Sequence, residues 1–371
     1  MKKILVSAIE ISGDMHAANL IRQVKAQLPG VQLLGLGSTK LAAEGMQIIA
    51  DVSMKSTIGI LEPLKHIGGY VRLLKKLTLL MDTERPDLVL CIDGQGFHMP
   101  LAAEAKKRGI PVVYYIAPQE WLWGTIEGGK KVSAVCDLII SIFPEEHVFY
   151  KKIGAHSVYN GHPLVDIVKP TKTKKQFLAN QVLPNKPIIA LFPGSRVQEI
   201  KMLLPQMIAA IQPWLTSHTV IVVAANESCR TLIQCRARGV RIIVGDNYNA
   251  MAAADLVVTS TGTTTLECAL IGTPLVAMYR LSRFSYWVVT KIAKIKLPRY
   301  KALPNMIAHK EIIPELIQEK CTVEQIQKTI EQTLKKSRLI RQKLKIFRKA
   351  LYKKDILKKN AAALVKVLRL Q

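Results

Sequence analysis

The sequence predicts an α/β protein made of two Rossmann-like domains that face a central cleft. Three observations carry that expectation. Short apolar runs rich in β-branched residues recur along the chain, separated by stretches long enough for a helix. The series breaks at a passage rich in Gly, Pro and Lys and then starts again. The 371 residues, 49% hydrophobic and 22% charged, suffice for two ordinary domains and fit neither disorder nor coiled coil.

The first series reads Ile4–Ser7, Gln32–Leu36, Leu88–Ile92, Val112–Ile116 and Leu138–Ile142. Each run suits a parallel strand covered on both faces by helices. Met1-Lys2-Lys3 and the apolar run after it resemble a signal peptide, but the run is short and Glu10 and Asp14 follow at once, so a core strand is expected. The passage Asn160–Lys175 reads as a connection. A second series follows: Pro187–Phe192, Val220–Ala225, Val240–Val244, Leu256–Ser260 and Pro274–Met278. The expected domains are 1–165 and 176–330. In such sheets ligands bind off the carboxyl ends of the strands.

Lys and Arg total 53 against 27 Asp and Glu, a net charge of +26. Half of it lies in Lys328–Gln371, where 15 Lys or Arg face 2 Asp or Glu, with leucines at rough helical spacing. Residues 331–371 are therefore expected to form a basic amphipathic helical tail. It either docks on an anionic membrane face or packs back on the first domain or a partner protomer. An excess of this size calls for a polyanionic neighbour. No zinc finger, RNP-like aromatic strand or helix-turn-helix signal is present, so nucleic acid is not the expected one. The six Cys, at 91, 136, 229, 235, 268 and 321, show no Cys-x-x-Cys pair and read as free thiols of a reducing compartment. No stretch approaches the roughly 20 apolar residues of a spanning helix, so a soluble, cytoplasmic chain with peripheral membrane contact is expected.

Five strand ends carry candidate chemistry. Glu10-Ile11-Ser12-Gly13-Asp14 follows the first strand; it is an anion-binding turn at a helix N-terminus, or Ser12 or Asp14 is a simple N-cap. It lacks the Gly-x-Gly-x-x-Gly fingerprint, so NAD is not expected. Asp93 follows Leu88–Ile92 and is a candidate general base, or a turn-forming Asp before Gly94. His98 is its rival. The aromatic segment Tyr114–Gly124 packs sugar or acyl groups, or plugs the core beneath a domain interface. Pro193-Gly194-Ser195-Arg196, with Glu199, reads as a phosphate-facing loop with a forked cation. Thr261-Gly262-Thr263 opens a helix that can hold a diphosphate. Glu267 accepts from ribose hydroxyls there, or is the acidic half of a capping box begun at Thr264.

Taken together, these motifs resemble the lipid-A-disaccharide synthase family of GT-B-type glycosyltransferases. The shared pieces are Glu10 to Asp14, Ile92-Asp93, Pro118 to Trp123, Phe143-Pro144-Glu145 with Phe149-Tyr150, Gly161-His162-Pro163, Pro193 to Arg196 with Glu199, Ser260 to Glu267, Tyr279-Arg280 and Leu303-Pro304-Asn305. The resemblance implies an inverting transfer from UDP-2,3-diacylglucosamine to the 6-hydroxyl of 2,3-diacylglucosamine 1-phosphate, with no cofactor and no metal required. It implies an acceptor domain at 1–165 and a UDP-sugar domain at 176–330. Asp93 would be the base and Arg196 would face the diphosphate. Glu10, Ser12, Gly13 and Asp14 would lie near a substrate phosphate. Ser195, Glu199, Thr261, Gly262, Thr263, Glu267, Arg280 and Asn305 would line the nucleotide side. Relatives exchange C-terminal parts, so a homodimer is among the expectations, as is residence on the inner face of the bacterial cytoplasmic membrane.

Two departures stand out. The family commonly has Gly where this chain has Ile9, and Asp-Ala-Pro-Asp-Phe-Asn where it reads Asp93-Gly94-Gln95-Gly96-Phe97-His98. The second carboxylate is lost at Gly96, leaving Gln95 and His98 as the groups available to replace it. The competing readings are another GT-B UDP-sugar enzyme, such as a 2-epimerase or a transferase with a different acceptor, and a non-catalytic paralogue that binds membrane lipid.

Overall fold

A computed structural model describes residues 1–51, 63–237, 239–281 and 299–370. The chain divides into two units, Met1–Ile167 with Lys353–Gln371, and Val168–Tyr352. Gln371, at the end of the expected tail, and the side chain of Trp123 lie outside the described residues.

The first unit is built on a parallel sheet. Its strands are β1 (Lys3–Ala8), β2 (Gln32–Gly37), β3 (Gln47–Asp51), β4 (Leu88–Ile92), β5 (Val112–Tyr115), β6 (Leu138–Ser141) and β7 (Ser157–Tyr159), in the order β3-β2-β1-β4-β5-β6-β7. The second unit repeats the plan with β8 (Ile188–Phe192), β9 (Thr219–Ala224), β10 (Arg241–Val244), β11 (Leu256–Ser260), β12 (Leu275–Tyr279) and β13 (Glu315–Ile317), in the order β10-β9-β8-β11-β12-β13. In both, strand order reverses beside the first strand. The switch points are therefore β1/β4 and β8/β11.

The central strands are apolar and buried on both faces, as in β4 (Leu-Val-Leu-Cys-Ile) and β8 (Ile-Ile-Ala-Leu-Phe). Helices cover them. Leu101, Ala102 and Ala105 pack on one side of the first sheet, and Ile200, Leu203, Leu204 and Met207 on one side of the second. Among the described residues all eleven strand pairings are parallel, which makes the connections between paired strands crossovers.

The basic C-terminal stretch is not one element. The helices Val323–Lys335 and Ser337–Leu351 belong to the second unit. Ile340, Leu344 and Phe347 are buried, and the helix Ser337–Leu351 packs on the helix Thr263–Ile271. Arg341 and Arg348 donate to the carbonyls of Gly272 and Leu270, at the negative end of that helix. The helix Ile356–Arg369 belongs to the first unit and buries Ile356, Leu357, Ala361, Leu364 and Leu368 there, packed on the helix Ile11–Gln27. It is pinned by the Leu357 amide on Asp166 (2.9 Å) and the Asn160 amide on Asn360 (2.9 Å). Lys353 adds a cation over the Tyr159 ring at 4.0 Å. Among the described residues no helix is long and apolar enough to cross a membrane.

Candidate active site

At the β1/β4 switch point the chain places Glu10, Ser12 and Asp93. β1 runs into the helix Ile11–Gln27 with Glu10 as its N-cap residue, so neither Ser12 nor Asp14 caps that helix. Glu10 lies near Tyr70, whose phenol is pushed up by burial and then by this carboxylate.

Asp14 points elsewhere. Its carboxylate is buried and accepts the backbone amides of Ser38 (2.7 Å), Lys40 (3.1 Å) and Leu41 (3.4 Å). It thus holds the N-terminus of the helix Thr39–Ala43, and Gly37 leaves room for it. Asp14 therefore does not cap its own helix but serves the start of the helix that follows β2.

Asp93 stands at φ +56° and Gly94 at φ +56°, two left-handed residues in a row. That conformation is costly at a non-glycine position and needs support. The Asp93 carbonyl accepts from the Tyr114 hydroxyl (2.8 Å) and from His98 Nδ1 (2.5 Å). Because a carbonyl only accepts, the proton sits on Nδ1, and Nε2 accepts from Ser7 Oγ at 2.8 Å. Burial lowers the His98 pKa to about 4, which keeps the ring neutral. Fully buried and with both ring nitrogens engaged inside the protein, His98 clamps the turn. Gln95 reaches Glu120 at 2.5 Å. The half-buried Asp93 side chain accepts the Gly94 amide at 2.8 Å.

At the β8/β11 switch point two loops meet. Pro193-Gly194-Ser195-Arg196 leads into the helix Val197–Ala210, with Ser195 and Arg196 exposed. Glu199 folds back on this loop. Burial pushes its carboxyl up, opposed by the Arg196 charge and by hydrogen bonds from the Arg196 and Ser195 amides. Arg196 Nη1 lies 3.4 Å from Glu199 Oε1. A β-carbon on Gly194, at φ +109°, would collide with the Glu199 carboxylate and crowd Ser260 Oγ, so only Gly fits between the two loops. Tyr279 lies in the same electrostatic neighbourhood as Glu199 and Arg196.

The second loop is Thr261-Gly262, and Gly262 is the N-cap residue of the helix Thr263–Ile271, with no side-chain cap. The first-turn amides of Thr263 and Thr264 thus lie at the ligand side of the sheet. Thr265 is the third helical residue, so Glu267 sits two positions too late for a capping box. Glu267 is buried instead, accepts from the Tyr248 hydroxyl at 3.2 Å, and is raised to about 7 by burial.

Arg280 and Asn305, the other two residues expected on the nucleotide side, belong to the same unit. Arg280 follows β12 and is exposed. Asn305 is fully buried; its amide donates to Ile313 O and Glu315, and its oxygen accepts from the Ile312 and Ile313 amides. All of its hydrogen-bonding positions are taken by protein. Residues that the motif reading passed over are Ser7 and Tyr248. Ser7 had a signal, as a polar residue inside a buried apolar strand; Tyr248 had none. Among the described residues no group of three or more His, Cys, Asp or Glu is placed to hold a metal ion.

Over residues 4–367 the chain matches the family profile described as lipid-A-disaccharide synthetase. The chain belongs to that family. The lipid-A-disaccharide synthase of Syntrophus aciditrophicus (strain SB) is 35% identical over 337 residues, covering 88% of this chain and 86% of the relative. That of Geobacter metallireducens is 33% identical over 341 residues, with the same coverage of 88% and 86%. Among solved structures, UDP-GlcNAc 2-epimerase from Neisseria meningitidis bound to UDP-GlcNAc matches with a TM-score of 0.66 at 13% identity, over 100% of both chains. A spinosyn rhamnosyltransferase complexed with spinosyn aglycone matches with a TM-score of 0.60 at 14% identity, over 100% of both chains. Likeness at these identities shows the fold, which is GT-B; the family rests on the profile and the curated relatives.

Proposed function

We propose that the chain is a metal-independent, inverting lipid-A-disaccharide synthase, in which Asp93 is the base and Arg196 steadies the departing diphosphate. The transferase activity that forms the lipid A disaccharide follows from the family. The observation that supports the residue roles is the placement of Asp93 off β4 and of Arg196 off β8, each at a switch point, where ligands of such sheets bind.

We assign the acceptor, 2,3-diacylglucosamine 1-phosphate, to the first unit and UDP-2,3-diacylglucosamine to the second. Asp93 takes the proton of the acceptor 6-hydroxyl as its oxygen attacks the anomeric carbon. The bond from that carbon to the diphosphate oxygen breaks, and the electron pair leaves with UDP. One displacement inverts the centre and needs no covalent intermediate. The Arg196 guanidinium and the amides opening the helix Thr263–Ile271 stabilise the charge that grows on the diphosphate. Glu267, steadied by Tyr248, accepts the ribose hydroxyls. Glu10 and Ser12 lie with Asp93 on the acceptor side, while Asp14 and Asn305 position backbone. Glu199 orders the Arg196 loop.

The cations of Lys328–Gln371 that are not used in packing draw the enzyme to an anionic inner-membrane surface, at about 1 kcal/mol per exposed cation. A homodimer remains part of the proposal. Incubation with the two acylated sugars and EDTA tests the reaction. Disaccharide and UDP are expected; product only with another acceptor moves the assignment to a neighbouring substrate. Vesicle sedimentation at low and high salt tests the surface. Binding that ignores salt contradicts the electrostatic part.

A further inference from the structure

Two motifs of the first unit take no part in the chemistry above, and the fold joins them into one groove. The short helix Glu120–Trp123 contributes Trp121, and the helix Pro144–Lys152 contributes Pro144, Glu145, Val148 and Phe149. The groove is shallow, holds about 400 Å³, and is walled mostly by carbon. Positions 144, 145, 148 and 149 share one helix face, so the lining is a built stripe. Val148 is 64% exposed there, an unusual outlay of a β-branched side chain on a helix.

The walls are fixed to each other and to the candidate base. Tyr150 donates to Pro118 O at 2.7 Å, tying the second helix to the aromatic loop. The Trp121 ring rests on Phe143, with centroids 5.6 Å apart. Glu120, the residue before Trp121, accepts from Gln95, two residues beyond Asp93. The groove thus lies in the same unit as the Asp93 turn, and the residue beside its Trp121 wall is tied to that turn through Gln95.

We propose that this groove is a subsite for one acyl chain of the acceptor sugar. The inference rests on the reading of the chain as a transferase of acylated sugars and deepens it. The molecule whose hydroxyl meets Asp93 is the acceptor, so its fatty acyl arm is the apolar group tethered within reach of this surface. A chain laid along Trp121, Val148 and Phe149 removes carbon from water on both partners. Trp121 Nε1 is buried without a hydrogen-bond partner, an unusual state for an indole, and a small tilt of the ring lets it donate to an acyl carbonyl or hydroxyl.

Steady-state kinetics of the full chain with Val148→Asp and Val148→Ala test this, using long-acyl and short-acyl acceptors. Val148 is exposed, so neither change endangers folding. Val148→Asp is expected to raise the KM for the long-acyl acceptor about tenfold, with kcat and the donor KM unchanged, and to leave the short-acyl acceptor unaffected. Val148→Ala is expected to show a smaller shift of the same sign. An unchanged acceptor KM, or an equal rise for both acceptors, overturns the subsite. So does a variant that loses binding to vesicles while its KM for detergent-dispersed acceptor is unchanged, since that makes the groove a membrane contact. Failure of the unaltered chain to make any disaccharide would instead fall on the function proposed above.

Discussion

The side chain of Ile9 occupies the space that a β-carbon on Gly94 would need, its Cδ1 only 2.5 Å from that position. The bulk of Ile9 is therefore accommodated by the missing side chain at 94. Gly94→Ala is expected to destabilise the first unit by about 2–3 kcal/mol, through left-handed strain and overpacking. In the Ile9→Ala background the overpacking share disappears, giving a coupling of about 1 kcal/mol in denaturant titrations. Strictly additive effects would show that the two residues do not compete for space.

Asp93→Asn keeps a residue that tolerates the left-handed turn and removes the carboxylate. Turnover should drop by a factor on the order of 10² to 10⁴ while UDP binding, followed by calorimetry, stays at the wild-type level. Full turnover in this variant would place the base elsewhere.

Asp14→Ala strips three backbone amides of their acceptor. A loss of about 2–3 kcal/mol in unfolding free energy is expected, with Asp14→Asn losing less because one amide oxygen still accepts. Wild-type stability combined with lost turnover would make Asp14 a substrate contact.

Glu267 gives the second unit a pH dependence. Burial raises its carboxyl from 4.5 to about 7, so the folded chain keeps a proton that the unfolded chain has released. The contribution is fully present below pH 4.5 and is lost as pH rises through about 7, a change of about 3 kcal/mol at most. Thermal unfolding of Glu267→Gln between pH 5 and pH 8 should show a flatter profile than the unaltered chain. Parallel profiles would mean that Glu267 does not carry the buried proton.

The strands that build both sheet centres could be read directly, because a parallel strand buried on both faces is apolar at most positions. β3, β7 and β13 were passed over for the converse reason. They are short edge strands, and no residue of β3 is fully buried, so nothing sets them apart from loop. The loops at the switch points were legible because turn residues follow each apolar run. The partners within them were not. Asp14 binds amides 24 to 27 residues away, and Glu267 meets Tyr248 from a different helix. The capping-box reading of Glu267 fell only when Gly262, and not Thr264, proved to be the N-cap residue. The basic tail was visible as charge and leucine spacing, but its division near Tyr352 depends on which surface each helix covers.

That division sets an order of events during synthesis. Residues 168–352 are contiguous, and their unit can close as soon as they leave the ribosome. The first 167 residues emerge earlier yet lack the helix Ile356–Arg369, which covers Ile11–Gln27. The half made first is thus completed last, and it carries an uncovered apolar face through the whole translation of the other half. Chaperone dependence, and aggregation on C-terminal nicking, should therefore track the amino-terminal unit.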